Sequence, residues 1–142
     1  MQIGKVNALN FGEIYYKVEK GYQNPTEKQR AAIYEIKQRA NENEDCIGNL
    51  ASLDAFAKAD IFVIAKKDGN VDVQLRHKLR EADKEFNSRH PGRLMMQSTI
   101  STKNLKLRTY DDEYTFRRSI DRKFGDFLDE AFAKKCTSRS DY

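Results

Sequence analysis

Asp60-Ile61-Phe62-Val63-Ile64-Ala65-Lys66-Lys67-Asp68-Gly69-Asn70-Val71-Asp72-Val73-Gln74-Leu75-Arg76 is the stretch that decides the fold. Two runs rich in β-branched residues flank an Asp-Gly pair, the strongest short-range signal for a β-hairpin. A two-residue turn at Asp68-Gly69 pairs Lys66 with Val71, Ile64 with Val73 and Phe62 with Leu75. Phe62, Ile64, Val71, Val73 and Leu75 then share one face. On this register Phe62, Ile64, Val73 and Leu75 are expected to be buried together under a helix. A three-residue loop with a bulge at Gly69 shifts the pairing by one residue and sets Ile61, Val63 and Ala65 opposite the valines instead. The two-residue turn is the favoured reading. On either register the first strand is apolar on both faces, so it belongs at the centre of a sheet.

Working outward, Ile14, Tyr16 and Val18 alternate with Tyr15, Lys17 and Glu19, which predicts a strand over 13–18. Asn24-Pro25-Thr26-Glu27-Lys28-Gln29 reads as a helix start. Thr26 caps it, and Gln29 three residues on completes a capping box. Ala32, Ile33, Ile36 and Ala40 form the apolar stripe of a helix over 26–41. A shorter helix is expected over 50–58. After the hairpin, Leu75, Leu79, Ala82 and Phe86 fall on one helical face and predict a helix over 77–88, stopped by His90-Pro91-Gly92. Residues 94–100 read as a strand. Leu105, Leu107 and Thr109 alternate with Lys106, Arg108 and Tyr110, which predicts a further strand and a second hairpin. Asp111-Asp112-Glu113 opens the last helix, ending near Lys135, with Phe116, Ile120, Phe124, Phe127, Leu128 and Ala131 on one face.

The expected fold is therefore α+β, a single domain. It has a largely antiparallel sheet of about five strands with three to four helices, in the order β-α-(α)-ββ-α-ββ-α. Residues 1–12 form a loose lead-in, 13–136 the domain, and 137–142 a frayed tail.

Composition bounds the function. The chain has 142 residues, 39% hydrophobic and 34% charged, enough for one real core and too apolar for a disordered chain. No apolar run approaches the ~20 residues of a membrane span. No charged and apolar leader opens the chain, so a cytoplasmic, soluble protein with no membrane partner is expected. Cys46 and Cys136 read as free thiols rather than a disulfide or a Cys-x-x-Cys site. The seven glycines are never closer than eight residues, so phosphate-cradling loops and dinucleotide fingerprints are absent. His77 and His90, thirteen apart, fit no short metal motif. No cofactor or metal is expected, and no catalytic residue is assigned.

The net charge of +4 is unevenly placed. Residues 1–70 balance at ten basic and ten acidic side chains, while 71–142 carry sixteen and twelve. Phe86 to Tyr110 holds five basic residues and no acid: Arg89, Arg93, Lys103, Lys106 and Arg108. They are the candidate contacts for nucleic acid. Five contacts would cap the slope of log K against log salt at about −4 to −5. The competing reading is a charged hairpin that protects a sheet edge from aggregation, and it is preferred because the net charge is modest. The sequence thus points to a small non-enzymatic domain that binds another protein. A nucleic-acid-binding domain using 89–108 is the alternative. An enzyme assembled from dispersed residues, with Arg89, His90 and Arg93 its least improbable members, is a third.

Overall fold

The computed structural model describes residues 14–42, 59–77, 84–102 and 106–140. Among these, one four-stranded sheet carries two long helices and one short one. The elements are β1 (Ile14–Val18), α1 (Glu27–Glu42), β2 (Ala59–Ala65), β3 (Val71–His77), α2 (Lys84–Arg89), β4 (Leu94–Ile100) and α3 (Tyr110–Ser140). The sheet order is β1-β2-β3-β4. β1 runs parallel to β2, and the other two pairings are antiparallel. The class is α+β, and β2 lies inside the sheet as its two apolar faces require.

The hairpin adopts the three-residue loop, so the two-residue register is overturned. Ile61 pairs with Leu75, Val63 with Val73 and Ala65 with Val71. Lys66 N–H donates to the Asn70 carbonyl at 2.9 Å and Gly69 N–H to the Lys66 carbonyl at 3.0 Å. Gly69 sits at φ 90°, and no residue other than glycine has positive φ among those described. A two-residue type I′ turn would force Asp68 into that region as well, which costs a residue bearing a Cβ. The observed loop confines positive φ to the glycine, and Asp68 Oδ1 accepts from Asn70 N–H at 2.9 Å. It also joins three apolar residues of β2 to three of β3 on one face.

That face is the core. Ile61, Val63, Val71, Val73 and Leu75 pack with Ala32 and Ile36 of α1 and with Phe116, Ile120, Phe124, Phe127 and Leu128 of α3. Both expected helix stripes are the ones buried. α1 and α3 lie side by side, joined by Arg39–Asp121 at 2.7 Å and Arg117–Glu35 at 3.1 Å. Phe62 and Ile64 point to the opposite face instead. Phe62 is buried there beside Tyr15, ring centroids 5.0 Å apart, in a row with Asp60, Asp72 and Gln74. Lys17 on this same face donates to the Ser88 carbonyl of α2.

The capping box forms as expected, and its glutamine does more. Gln29 N–H donates to Thr26 Oγ1 at 3.1 Å, and Thr26 N–H to Gln29 Oε1 at 2.9 Å. Gln29 is fully buried, and its Nε2 donates to the carbonyls of Lys66 and Asn70 at 2.7 and 2.8 Å. The start of α1 is thereby bolted to the hairpin loop. On the loop's outer side Glu19 accepts from Lys67 N–H at 2.8 Å and lies 3.4 Å from Lys66 Nζ. Chiefly the backbone donation from Lys67, helped by Lys66, holds the Glu19 carboxyl below its usual 4.5. A lowered folded pKa means this contact stabilises at neutral pH and is lost as pH falls through that lowered value.

Two further expectations change. Among the described residues no fifth strand forms: 106–109 are irregular, and α3 begins at Tyr110. Thr109 Oγ1 accepts from Asp112 N–H at 3.1 Å, so Thr109 serves as an N-cap ahead of three acids. A capped 31-residue helix outweighs six residues of alternation. The sheet therefore has four strands. At the start of the helix expected over 77–88, β3 continues through His77; residues 78–83 lie outside the described residues, and α2 covers Lys84–Arg89. The second helix expected over 50–58, the 1–12 lead-in and Cys46 lie outside the described residues. α3 continues past Lys135 to Ser140.

Candidate binding edge

β4 is an outer strand of the sheet and carries neither a charge nor a proline along Leu94-Met95-Met96-Gln97-Ser98-Thr99-Ile100. Its register with β3 pairs Ile100 with Val71, Ser98 with Val73 and Met96 with Leu75. Lys66 N–H bonds to Asn70, so the even-numbered residues of β3 turn their backbone groups toward β2. The odd-numbered ones turn toward β4, as His77 N–H does in donating to the Arg93 carbonyl at 2.9 Å. Met96, Ser98 and Ile100 thus complete the ladder. The N–H and C=O of Gln97 and Thr99 point outward, and both residues are exposed.

The edge is held stiffly. Across the second face Gln97 Nε2 and Thr99 Oγ1 donate to the two oxygens of Asp72 at 2.9 and 3.0 Å. Asp72 is only 4% exposed, and Lys66 Nζ stands 3.8 Å from it. At the strand's start, Arg76 donates to the Gly92 carbonyl at 2.8 Å and to Gln74 Oε1 at 2.8 Å. The pairing slips between Leu75 and Arg76, which places Leu94 opposite Arg76 and leaves Met95 as the extra residue of a bulge. Past the strand's end, Thr102 Oγ1 donates to the Gly69 carbonyl at 2.5 Å. The only sequence signal for this clamp was the polar alternation of Gln97 and Thr99.

Gly92 permits the close approach that starts β4. A Cβ there would lie 2.1 Å from the His77 carbonyl oxygen and 2.9 Å from its carbon. Both are backbone atoms, so the chain itself would have to move. Gly92→Ala is expected to cost about 1–3 kcal/mol, as overpacking does. Amide exchange should also quicken at His77 and Met96, measured by hydrogen–deuterium exchange. Unchanged protection at both amides would contradict this account.

Among the described residues, 106–109 form no strand, so Lys106 and Arg108 do not lie on a hairpin paired with β4. Arg89, at the end of α2, is ion-paired with Glu85. Arg93 meets His77 Nε2 at 2.8 Å. Lys106 and Arg108 are exposed on irregular chain, and Lys103 lies outside the described residues. Extended β4, roughly 23 Å long at strand geometry, separates the first pair from the second. His90 stacks on Phe86 at 4.4 Å between ring centroids. Arg89, His90 and Arg93 thus each have a structural partner. Among the described residues, no group of three or more His, Cys, Asp or Glu is placed to hold a metal ion. No helix there is long and apolar enough to cross a membrane.

A groove of 620 Å³ runs along the outer side of α3, lined by Arg39, Tyr114, Arg118, Asp121, Arg122 and Asp126 among others. Arg39 lies over Gly125 and is paired with Asp121, and Arg118 stacks on Tyr114 at 5.7 Å. Three arginines and three aspartates line it, so it favours neither sign of charge. Comparison of the chain with models of known protein families, with curated proteins and with solved structures finds no match in any of the three.

Proposed function

We propose that this chain is a non-enzymatic protein-binding domain that takes an extended segment of its partner as a fifth strand beside β4. The observation that carries this reading is the uncharged, proline-free outer strand with two residues' backbone groups turned outward. Strand addition draws its affinity from such groups and its selectivity from the side chains beside them. Edges not meant for pairing are ordinarily blunted by lysine, proline or a bulge; the bulge of β4 lies at Met95, ahead of Gln97 and Thr99. β1, the other outer strand, is shorter and carries Lys17. The clamp on Asp72 fixes β4 before a partner arrives, which lowers the ordering cost of binding.

Thr99→Pro is the test. It deletes one outward N–H and leaves the β3 ladder alone, which is where an edge strand tolerates proline. Thr99→Ala is the control: it loses the bond to Asp72 and keeps the N–H. With a labelled, extended Val/Thr-alternating peptide as probe, Thr99→Pro is expected to weaken binding at least about tenfold, or 1.4 kcal/mol. Thr99→Ala should leave binding within about threefold, or ~0.7 kcal/mol. In the free wild-type protein, amide exchange should be fast at Gln97 and Thr99 and slow at Met96 and Ser98. Equal binding by wild type and Thr99→Pro would remove the proposal. Tight binding of a single-stranded oligonucleotide that survives Thr99→Pro and vanishes in Lys106→Glu/Arg108→Glu would put the nucleic-acid reading in its place.

A further inference from the structure

Resting on strand addition at β4, the charge around that strand points to the partner: we infer that it is an extended segment flanked by acidic residues, not a second copy of this chain. The strand is neutral, but its approaches are not. Arg93 directly precedes it and Lys106 and Arg108 follow it, with no acid from Phe86 to Tyr110, while Arg89 at the end of the preceding helix is already paired with Glu85. Lys106 and Arg108 are exposed, and neither has an acidic partner among the described residues. In chain order Arg93 adjoins one end of β4, and Lys106 and Arg108 come six and eight residues after the other end.

The same charges oppose self-pairing. Two copies joined through β4, parallel or antiparallel, bring one basic flank against another. Like charges directly opposed across strands destabilise the pair, and juxtaposed like charges exclude wrong partners. An exposed neutral edge would otherwise template its own aggregation. Basic flanks on a neutral strand therefore reject this chain's own edge and accept an acidic one. Specificity here is as much repulsion as attraction.

Three labelled peptides with one Val/Thr-alternating core test this, flanked by Asp/Glu, by Ser/Gly or by Lys/Arg. Anisotropy titrations with the intact chain at low salt should rank them acidic, then neutral, then basic, with about tenfold between the first two. The gap should narrow as salt is raised, because exposed charges are screened. Lys106→Glu/Arg108→Glu should reverse the ranking at that end while the far-ultraviolet dichroism stays unchanged. Equal affinity for all three peptides would overturn acidic selection and leave strand addition standing. Absence of binding by any peptide would overturn strand addition itself. A dimer in sedimentation that Thr99→Pro dissolves would overturn the inference in favour of a second copy.

Discussion

Gln29→Glu is expected to destabilise the protein by at least about 3 kcal/mol at neutral pH, although it exchanges one amide for a carboxylate of the same shape. The wild-type amide is fully satisfied. Its Oε1 accepts from Thr26 N–H and from Tyr22 Oη at 2.5 Å, and its Nε2 donates to Lys66 and Asn70. A carboxylate keeps the two acceptances and turns both donations into oxygen facing oxygen, in a site with no solvent exposure. Among the described residues, the groups bonded to this side chain are a hydroxyl, an amide N–H and two carbonyls, none of them a cation that would offset its desolvation. The sign of the pH dependence follows. Burial would raise the folded pKa of this Glu above its unfolded value of about 4.3. The folded variant then holds more protons than the unfolded chain above about pH 4.3, so its stability falls as pH rises. Below that pH the deficit should shrink, since a neutral acid can again donate one bond. Urea denaturation across pH checks this, with Gln29→Met as the companion. Met removes the bonds without adding a charge, so its deficit should be smaller and flat with pH. A Gln29→Glu protein within about 1 kcal/mol of wild type would mean the clamp contributes little.

Phe124→Ala should cost about 3–5 kcal/mol, the range for a large aromatic removed from a packed core. Phe124 has no exposed surface and belongs to the core, its ring stacked on Phe127 at 6.3 Å between centroids. α3 supplies Phe116, Ile120, Phe124, Phe127, Leu128 and Ala131 to the single core, so it cannot be a detachable appendage. Arg122→Ala, on the exposed side of the same helix, should change stability by no more than about 0.5 kcal/mol. Because small domains are stable by only ~5–15 kcal/mol in total, Phe116→Ala/Phe124→Ala should leave no cooperative urea transition. If Phe124→Ala unfolded at wild-type urea concentrations, the helix would not be the lid of the core.

The two clamps act on different links of the same chain of causes. Gln29 ties helix α1 to the hairpin loop, so it sets stability and the position of β2 and β3. Asp72 ties β4 to β3 on the other face, so it sets the rigidity of the edge offered to a partner. Both work by filling the bonding capacity of a buried polar group.

Local signals alone fixed much of this protein. The 3.6-residue stripes of α1 and α3, the Thr26–Gln29 capping box, the strands expected over 13–18 and 94–100 and the central place of β2 were all legible from residue order. Each depends on neighbours three or four residues apart, or on period-two alternation, and burial only had to ratify it. Tertiary structure decided the rest. The hairpin register turned on one residue, because Asp68 stays out of the left-handed region and the core gains most with Ile61, Val63 and Ala65 facing α1 and α3. Phe62 consequently moved to the other face, as the bulged alternative register implies and the favoured two-residue turn does not. Leu105–Tyr110 alternates like a strand, yet Thr109 ends it by capping α3. The basic run from Arg89 to Arg108 reads as one ribbon in sequence, and β4 spreads it into two flanks in space. The Asp72 clamp joins residues 72, 97 and 99, which only the pairing of β3 with β4 brings within hydrogen-bonding distance.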